Sequence, residues 1–332
     1  MNQTILVTGG TGLAGSNIAV LLREKGYRVR ALVRRTDGTE SLVEKGIEVM
    51  TGDITDPASL DRAMASASGV IHAAAALGGT WSSFGPDDFW AVNHQGTLNV
   101  LDAAKKAGVE KTVVIDTHSI LDPFFTHTER SPVILIEEVN SHYVRSKRAA
   151  YYGGLYRAAT GQNICFVTPG AIYGPGILVE RSLDPTSFTS VLLRGIKGEI
   201  DTFLTYPMFW TFVQDLAQIC VRALEKGEIG RRYLAMGGDA DVSSLAAFCN
   251  QGAELAGSTH RVREIDPNDP NAPNIGTMRQ FALRKYARPY VDCTATTESL
   301  GWAPTPRAEA ITRTINWARS VGKLAGPDTV AA

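Results

Sequence analysis

The chain has 332 residues, enough for one large α/β domain and a smaller second lobe. Its 44% hydrophobic and 20% charged residues are typical of a soluble globular protein. A formal net charge of -1 gives no basic balance that would favour nucleic acid or an anionic membrane, and no apolar run approaches the roughly 18–20 residues that span a bilayer. We therefore expect a small-molecule substrate as partner, and neither nucleic acid nor a membrane.

The start of the chain and its cysteines bear on the compartment. An apolar segment begins almost at once, without the basic stretch and cleavage site of a secretory signal, so we expect a cytoplasmic protein. The 4 cysteines are far apart and form no CxxC pair, and the 6 histidines show no HExxH spacing. This pattern predicts free, buried thiols and no metal site.

Short β-branched segments alternate with helical patterns through the first half of the chain. Strands are predicted at 4–7, 28–33, 47–51, 69–73, 111–115 and 163–167, and helices at 13–25, 57–66, 88–107 and 143–159. The alternation predicts an α/β fold with a doubly wound parallel sheet, the Rossmann arrangement.

After about residue 170 the alternation stops. The stretch 170–212 is rich in glycine, proline and aromatic residues and is predicted as loop with short elements, and helices follow at 215–225, 297–300 and 307–320. We expect a dinucleotide-binding domain over 1–169, with 211–230 packing back onto it. The remainder, 170–332, is expected to form a smaller substrate-binding lobe.

A glycine loop lies between the first predicted strand and the first helix. Gly9, Gly12 and Gly15 have the spacing GxxGxxG, which permits a tight turn and lets the backbone approach a pyrophosphate at the helix N-terminus. A plain strand–turn–helix connection is the alternative. The position favours dinucleotide binding, with Thr11 and Leu13 as further contacts.

The end of the second strand bears on the choice of cofactor. An acidic residue there would bind the ribose hydroxyls and repel a 2′-phosphate, but this chain has Arg34 and Arg35, with no acid before Asp37. Guanidinium groups bind phosphate through forked hydrogen bonds, so NADP(H) is predicted, with NAD as the other cofactor. The alternative is a pair of solvated surface arginines.

Two further strand ends are candidates for cofactor contacts. Asp53, followed by Ile54, closes the third strand, where its carboxylate could reach the adenine amino group or could simply hold a turn. Ala73 and Ala74 end the fourth strand, and their small side chains would leave room for ribose and phosphates or would allow tight packing.

Tyr143 and Lys147 are four residues apart and therefore share one face of a helix. A free tyrosine has a pKa of about 10, and a neighbouring ammonium and a positive nicotinamide ring would lower this pKa and suit Tyr143 to acid/base work. A surface pair is the alternative. Thr117 and Ser119 would face the same way if the fifth strand continued, and either could orient a substrate oxygen, whereas His118 would face away.

Together these motifs resemble the extended short-chain dehydrogenase/reductase family, the epimerase/dehydratase superfamily, over essentially the whole chain. The motifs are at 8–15, 52–55, 72–74, 92–101, 143–147, 169–175, 213–217 and 300–302. The pattern Val-Arg-x-x-Val-Arg at 29–34 is similar to the dihydroflavonol-reductase-like and 3β-hydroxysteroid-dehydrogenase-like branch, in which the arginine at the position of Arg34 binds the 2′-phosphate.

The resemblance implies roles for individual residues. It assigns the acid/base role to Tyr143, the partner and ribose-binding role to Lys147, and the orienting hydroxyl to Thr117, with Ser119 also in range. Asn93 would shape the helix that carries the proton relay.

The resemblance also places Pro169 and Gly170 close to the nicotinamide, and it implies a homodimer through the helices at 88–107 and 143–159. Asp116 and His118 depart from the small residues usual in the family.

The substrate class is predicted from one replacement and several aromatic residues. Met208 stands where relatives that act on sugar nucleotides carry an arginine. Aromatic residues cluster at Trp81, Phe84, Phe89, Trp90, Phe124 and Phe125. These features favour an apolar or aromatic carbonyl or alcohol, although the rings could also be core or dimer contacts.

We accordingly expect a reductase or dehydrogenase. A sugar epimerase or dehydratase using the same residues is the alternative. A cofactor-sensing protein without turnover is the third possibility, but such a protein has no need of the Tyr143–Lys147 pair.

Overall fold

A computed structural model of the chain describes residues 3–77, 84–123, 125–135, 141–237, 242–272, 279, 282 and 290–326. The strands among these residues are β1 (Thr4–Thr8), β2 (Arg28–Val33), β3 (Glu48–Thr51), β4 (Ala67–His72), β5 (Lys111–Ile115), β6 (Ile164–Pro169), β7 (Ala171–Tyr173), β8 (Thr202–Leu204), β9 (Pro207–Phe212), β10 (Arg232–Ala235), β11 (Val242–Ser244) and β12 (Arg263–Ile265).

The helices alternate with these strands. They are α1 (Leu13–Glu24), α2 (Glu40–Glu44), α3 (Pro57–Met64), α4 (Pro86–Phe89), α5 (Gly96–Lys106), α6 (His142–Ala159), α7 (Val179–Ser182), α8 (Phe188–Ile196), α9 (Val213–Lys226), α10 (Leu245–Ala256), α11 (Thr294–Leu300) and α12 (Arg307–Ser320). A π-helical segment (Trp90–Gln95) joins α4 to α5, and a 3-10 helix (His118–Ile120) follows β5.

The main sheet has seven parallel strands in the order β10-β6-β5-β4-β1-β2-β3. Side chains of β1 alternate between two cores: Ile5 and Val7 pack with residues of α1 and α9, while Leu6 packs with residues of α3 and α5. Helices therefore cover both faces, and the predicted doubly wound Rossmann sheet is confirmed. The strand order reverses between β1 and β4, which is where such sheets bind ligands.

The six predicted strands are all present, within one or two residues of their expected ends. The helix predicted at 57–66 begins as expected, because the Asp56 side chain accepts a hydrogen bond from the Ala58 N–H at 3.0 Å and Pro57 occupies the first turn.

Two parts of this sheet differ from prediction. The seventh strand, β10, was not predicted because its four residues, from Arg232 to Ala235, are all buried and show no alternation of polar and apolar side chains. The single helix expected over 88–107 is three segments, since a π-helical stretch centred near Asn93 interrupts it.

A second layer lies beyond the main sheet. A three-stranded sheet of order β11-β9-β7 and a two-stranded pair, β12-β8, pack with α8, α10 and α12. At its centre the Trp210 and Phe248 rings stack with centroids 3.7 Å apart, and the indole N–H donates to the Ser243 hydroxyl at 2.9 Å. The short elements predicted within 170–212 are thus α7, α8 and strands β7 to β9, after which α9 returns to pack on α1.

Candidate active site

The three glycines of the loop differ in the space that a side chain would have. Gly9 has φ of 70°, and a Cβ there would lie 2.7 Å from the Ala74 nitrogen, while a Cβ on Gly15 would lie 2.2 Å from the Gly9 carbonyl oxygen. Gly12 is exposed, and its Cβ would meet only the same oxygen, at 3.4 Å. The first and third glycines are therefore required by the protein's own packing, and the second leaves an open surface at the start of α1.

Buried hydrogen bonds hold the strand end behind this loop. The Thr97 hydroxyl donates to the Asn93 carbonyl at 2.7 Å, so it must accept the hydrogen of His72 Nε2, 2.9 Å away. Nδ1 of His72 then accepts from the Thr8 hydroxyl at 2.7 Å, and that hydroxyl in turn accepts from the Ala74 N–H at 3.3 Å.

The imidazole in this network is neutral. Burial, assisted by the positive charge of Lys147, lowers the pKa of His72 to about 3. The network thus fixes one tautomer of His72 and places Ala73 and Ala74 against Gly9.

The two arginines after β2 have different environments. Arg35 forms an ion pair with Asp37, Nε to Oδ1 at 2.8 Å, and the hydrogen bond to Arg35 lowers the pKa of that carboxyl. Arg34 is exposed and has no partner within the described part of the chain. Of the predicted pair, Arg34 is thus the guanidinium that has no carboxylate partner.

Asp53 holds a turn. Its Oδ1 accepts hydrogen bonds from the backbone N–H and the hydroxyl of Thr55, both at 2.8 Å. Ile54 is buried and packs against Gly96, where a Cβ would lie 2.7 Å from its Cδ1.

The end of β5 brings Thr117 to Tyr143. The strand stops at Ile115, and Thr117 begins the 3-10 helix, its hydroxyl accepting from the Ser119 N–H at 3.3 Å. The strand therefore does not continue to Ser119, so the condition under which Thr117 and Ser119 would share one face is not met. The Thr117 side chain acts on the Tyr143 phenol and favours a lower pKa of that group.

Tyr143 and Lys147 lie on α6, whose N-cap Ser141 accepts a hydrogen bond from the Val144 N–H at 3.4 Å. Burial raises the pKa of Tyr143, and the Thr117 side chain partly opposes the rise. The Lys147 Nζ donates a hydrogen bond to the Ile115 carbonyl at 2.8 Å. Burial lowers the pKa of Lys147 to about 8, which Asp116 partly opposes.

Asn93 ties three elements together from inside the π-helical segment. Its amide exchanges hydrogen bonds with the backbone of Ala76, donating at 3.0 Å and accepting at 2.7 Å, and it donates to the Ser146 hydroxyl at 3.3 Å. This side chain is fully buried. It thereby fixes α6 against the segment that follows β4.

Pro169 is the last residue of β6, and Gly170 follows it where the backbone of Phe209 comes very close. A Cβ on Gly170 would lie 2.2 Å from the Phe209 carbonyl oxygen, and the Gly170 N–H donates to the Thr211 hydroxyl at 2.8 Å. The Phe209 ring contacts His118 at 5.3 Å and His127 at 4.6 Å between centroids. Neither Phe209 nor His127 was among the predicted site residues. Their contact depends on tertiary packing, which the sequence around each residue does not indicate.

Aromatic residues next to Tyr143 come from α4 and the residues before it. The Phe89 ring lies 6.1 Å from the Tyr143 ring, and Phe84 lies 6.1 Å from Phe89. Trp90 and Phe125 are exposed, whereas Trp81 and Phe124 lie outside the described residues.

Met208 is buried in the second layer, opposite Ser243. Its neighbours Tyr206, Trp210 and Phe212 are also buried there. Most rings of this segment are thus core residues.

A Rossmann sheet with a glycine loop at its switch point, and a threonine–tyrosine–lysine group at the neighbouring strand ends, defines a nucleotide-dependent enzyme. The model of the NAD dependent epimerase/dehydratase family matches residues 5–235. The chain belongs to this family and is an NAD(P)-dependent enzyme of the extended short-chain dehydrogenase/reductase type.

Similar proteins support the same family. A putative dihydroflavonol 4-reductase of Synechocystis is 30% identical over 243 residues, 70% of this chain and 68% of the relative. Sterol demethylase protein B of Methylococcus capsulatus is 25% identical over 251 residues, 75% of this chain and 74% of the relative. A crystal structure of gox2253 superposes with a TM-score of 0.83 at 26% identity, covering 98% of this chain and 100% of that one.

The described residues contain neither a membrane-spanning helix nor a metal-binding cluster. No helix among them is long and apolar enough to cross a membrane. No group of three or more histidine, cysteine, aspartate or glutamate side chains in this part of the chain could hold a metal ion.

Proposed function

We propose that the protein is an NADP(H)-dependent oxidoreductase that interconverts a carbonyl and an alcohol on an apolar or aromatic substrate. The observation that carries the proposal is the grouping of Tyr143 with Thr117 and Lys147: the Thr117 side chain acts on the Tyr143 phenol, and the Phe89 ring lies 6.1 Å from the Tyr143 ring. A proton donor, a second hydroxyl, a cation and an apolar wall are the groups that reduction of an apolar ketone needs.

Residues at the switch point of the sheet support NADP(H) as the cofactor. Gly12 offers an open backbone surface at the N-terminus of α1, where a pyrophosphate is favoured, and Thr11 and Leu13 flank it. Arg34, which has no partner among the described residues, could bind a 2′-phosphate through its guanidinium. Ala73, Ala74, Pro169 and Gly170 would line the path toward the nicotinamide, which supplies or accepts the hydride when bound.

Tyr143 is the proposed donor and acceptor of the proton that moves to or from the substrate oxygen. In reduction the phenol donates its hydrogen to the substrate oxygen, while the Thr117 hydroxyl, which acts on the phenol, holds that oxygen in place. The Lys147 ammonium favours the phenolate that results, and it would also bind the nicotinamide ribose. In oxidation the same groups run in reverse.

The substrate class rests on the surroundings of Tyr143. Phe84 and Phe89 approach it, and no arginine takes the place of Met208. The two relatives described above are named for a dihydroflavonol and a sterol, which are carbon ring systems and not sugar nucleotides. The family model is named for epimerases and dehydratases, so turnover of a sugar nucleotide is the second candidate.

The test offers purified enzyme NADPH or NADH with a panel of aromatic ketones, steroid ketones and sugar nucleotides. Net oxidation of NADPH by an apolar ketone is the expected result, read as loss of absorbance of the reduced nicotinamide. Conversion of a sugar nucleotide without net change in the cofactor would replace this proposal with the epimerase or dehydratase function.

A further inference from the structure

A buried carboxylate lies directly before Thr117. Asp116 is 5% exposed, its N–H donates to the Val167 carbonyl at 3.0 Å, and neither carboxylate oxygen accepts a hydrogen bond from a described residue. An aspartate is rarely buried without hydrogen bonds, because the charged form is costly to remove from water. Its position beside the candidate catalytic group therefore requires a reason.

Two buried cations from different elements act electrostatically on this carboxylate. Lys147, on α6, donates to the carbonyl of Ile115, the peptide group that leads into Asp116. Arg232, on β10, is 4% exposed, donates to the Ser131 carbonyl at 3.0 Å, and has a buried Nε without a partner among the described residues. Asp116 is thus a buried negative charge acted on by two buried positive charges.

The other groups facing this cluster add no second negative charge near neutral pH. Tyr143 and Tyr151 lie on α6, and the pKa values of both are raised, chiefly by burial. His72 on β4 is neutral. Thr168 on β6 brings a buried hydroxyl that favours the ionised carboxylate.

Asp116 and Lys147 each influence the pKa of the other. Burial raises the pKa of Asp116 to about 6, and Arg232, Thr168 and Lys147 oppose the rise. Burial lowers the pKa of Lys147 to about 8, and Asp116 opposes that fall. In the described structure Asp116 is the neighbour that raises the proton affinity of the lysine.

We propose that Asp116 is a positioning residue for Lys147: its ionised carboxylate, kept ionised by Arg232, holds the lysine as an ammonium in the folded protein. The catalytic consequence rests on the proposed function of Tyr143 and Lys147, but the charge of the lysine does not. Without the carboxylate, burial would favour the neutral amine at a lower pH. Reduction would then lose the cation beside the phenol.

The first measurement needs no substrate and no cofactor. Lysine labelled with 13C at Cε is incorporated into the full chain, and the Lys147 signal is assigned by its loss in Lys147→Met. In Asp116→Asn, an isosteric change, we expect the titration midpoint of this signal to fall by about one pH unit. Asp116→Glu, which restores the charge, should recover most of the shift, and Thr168→Val, which removes a neighbouring hydroxyl but no charge, should shift it little.

The wild-type protein provides a check that is independent of any variant. Its Lys147 signal should show a smaller inflection near pH 6, where Asp116 titrates. An unchanged midpoint in folded Asp116→Asn, or a wild-type signal without that inflection, overturns the proposal.

The second measurement is the pH profile of kcat/KM for carbonyl reduction. In Asp116→Asn the alkaline limb should move to lower pH by about the same amount as the lysine midpoint, whereas a merely structural role would lower kcat at every pH and leave the limb in place. If no carbonyl is reduced by any variant, the proposed function fails while the lysine shift still decides the role of Asp116.

Discussion

The hydroxyl of Thr8 and Nδ1 of His72 are 2.7 Å apart, joined by a hydrogen bond across adjacent strands at the point where the sheet order reverses. Both residues end their strands and both are buried. The Thr8 hydroxyl also accepts a hydrogen bond from the Ala74 N–H, and Gly9 packs against Ala74. The position of the glycine loop therefore depends on a buried threonine as well as on its glycines.

Removal of that hydroxyl should affect both stability and the loop. Thr8→Val keeps the shape but leaves His72 Nδ1 and the Ala74 N–H without their partner, so we expect a loss of about 1–3 kcal/mol in the free energy of unfolding. Urea denaturation followed by circular dichroism measures this loss. Thr112→Val is the matched control, since Thr112 is a buried strand threonine whose side chain makes no hydrogen bond to the described residues. Equal losses in the two variants would contradict the network.

The lowered pKa values of three histidines predict that acid reduces the free energy of unfolding. Burial lowers the pKa of His72 and His118 to about 3 and that of His127 to about 4, below the ordinary 6.5, so the unfolded chain binds their protons first as the pH falls. Asp116 acts in the opposite direction, because its folded pKa of about 6 exceeds the ordinary 3.8. Stability should therefore fall between about pH 6 and 4.5, with a net uptake of roughly two protons on unfolding.

Urea unfolding at a series of pH values gives this proton uptake from the slope of the unfolding free energy. His118→Phe should reduce the uptake by about one proton. His260→Gln, an exposed position, serves as control. A stability that is level across this pH range would show that the buried histidines are not neutral.

The strand–helix alternation and the motif order were sufficient to predict the Rossmann sheet and to place Tyr143 and Lys147 on one helix. They could not predict β10, whose residues are buried on both faces, or the turn at Thr117, which depends on where a strand stops. The spacing of Tyr143 and Lys147 could not predict that burial raises the pKa of the phenol, because burial depends on the tertiary packing around the helix. Phe209 and His127 are brought to the site by tertiary packing alone.

The second and third glycines of the loop should respond differently to the same substitution. Gly12→Ala places a methyl group at ordinary contact distance from the protein, so stability should change by less than about 0.5 kcal/mol while cofactor affinity falls. Gly15→Ala forces a methyl group to within 2.2 Å of the Gly9 carbonyl oxygen and should destabilise the fold itself. Thermal melting and NADPH fluorescence titration separate the two effects. Undiminished cofactor binding by Gly12→Ala would remove the loop from the proposed site.

Tyr143→Phe tests the acid/base role. The variant keeps the ring that packs on Phe89 but loses the phenolic hydroxyl, so NADPH should bind normally while kcat falls by about 10²–10⁴-fold. Tyr156→Phe is the matched control, because Tyr156 lies on the same helix with 70% of its surface exposed. Turnover by Tyr143→Phe close to that of the control would exclude Tyr143 from proton transfer.

Arg34 and Arg35 provide an internal comparison for the cofactor. Arg35 already pairs with Asp37, whereas Arg34 is exposed without a partner among the described residues, so only Arg34 has its full hydrogen-bonding capacity available for a 2′-phosphate. Loss of charge-assisted hydrogen bonds costs about 1.5–3 kcal/mol, so Arg34→Ala should weaken NADPH binding by roughly 10- to 100-fold and leave NADH binding nearly unchanged. Arg35→Ala should weaken NADPH binding much less. Fluorescence titration of both nucleotides against the three proteins measures these ratios, and equal losses for NADPH and NADH in Arg34→Ala would mean that the end of β2 does not select the phosphate.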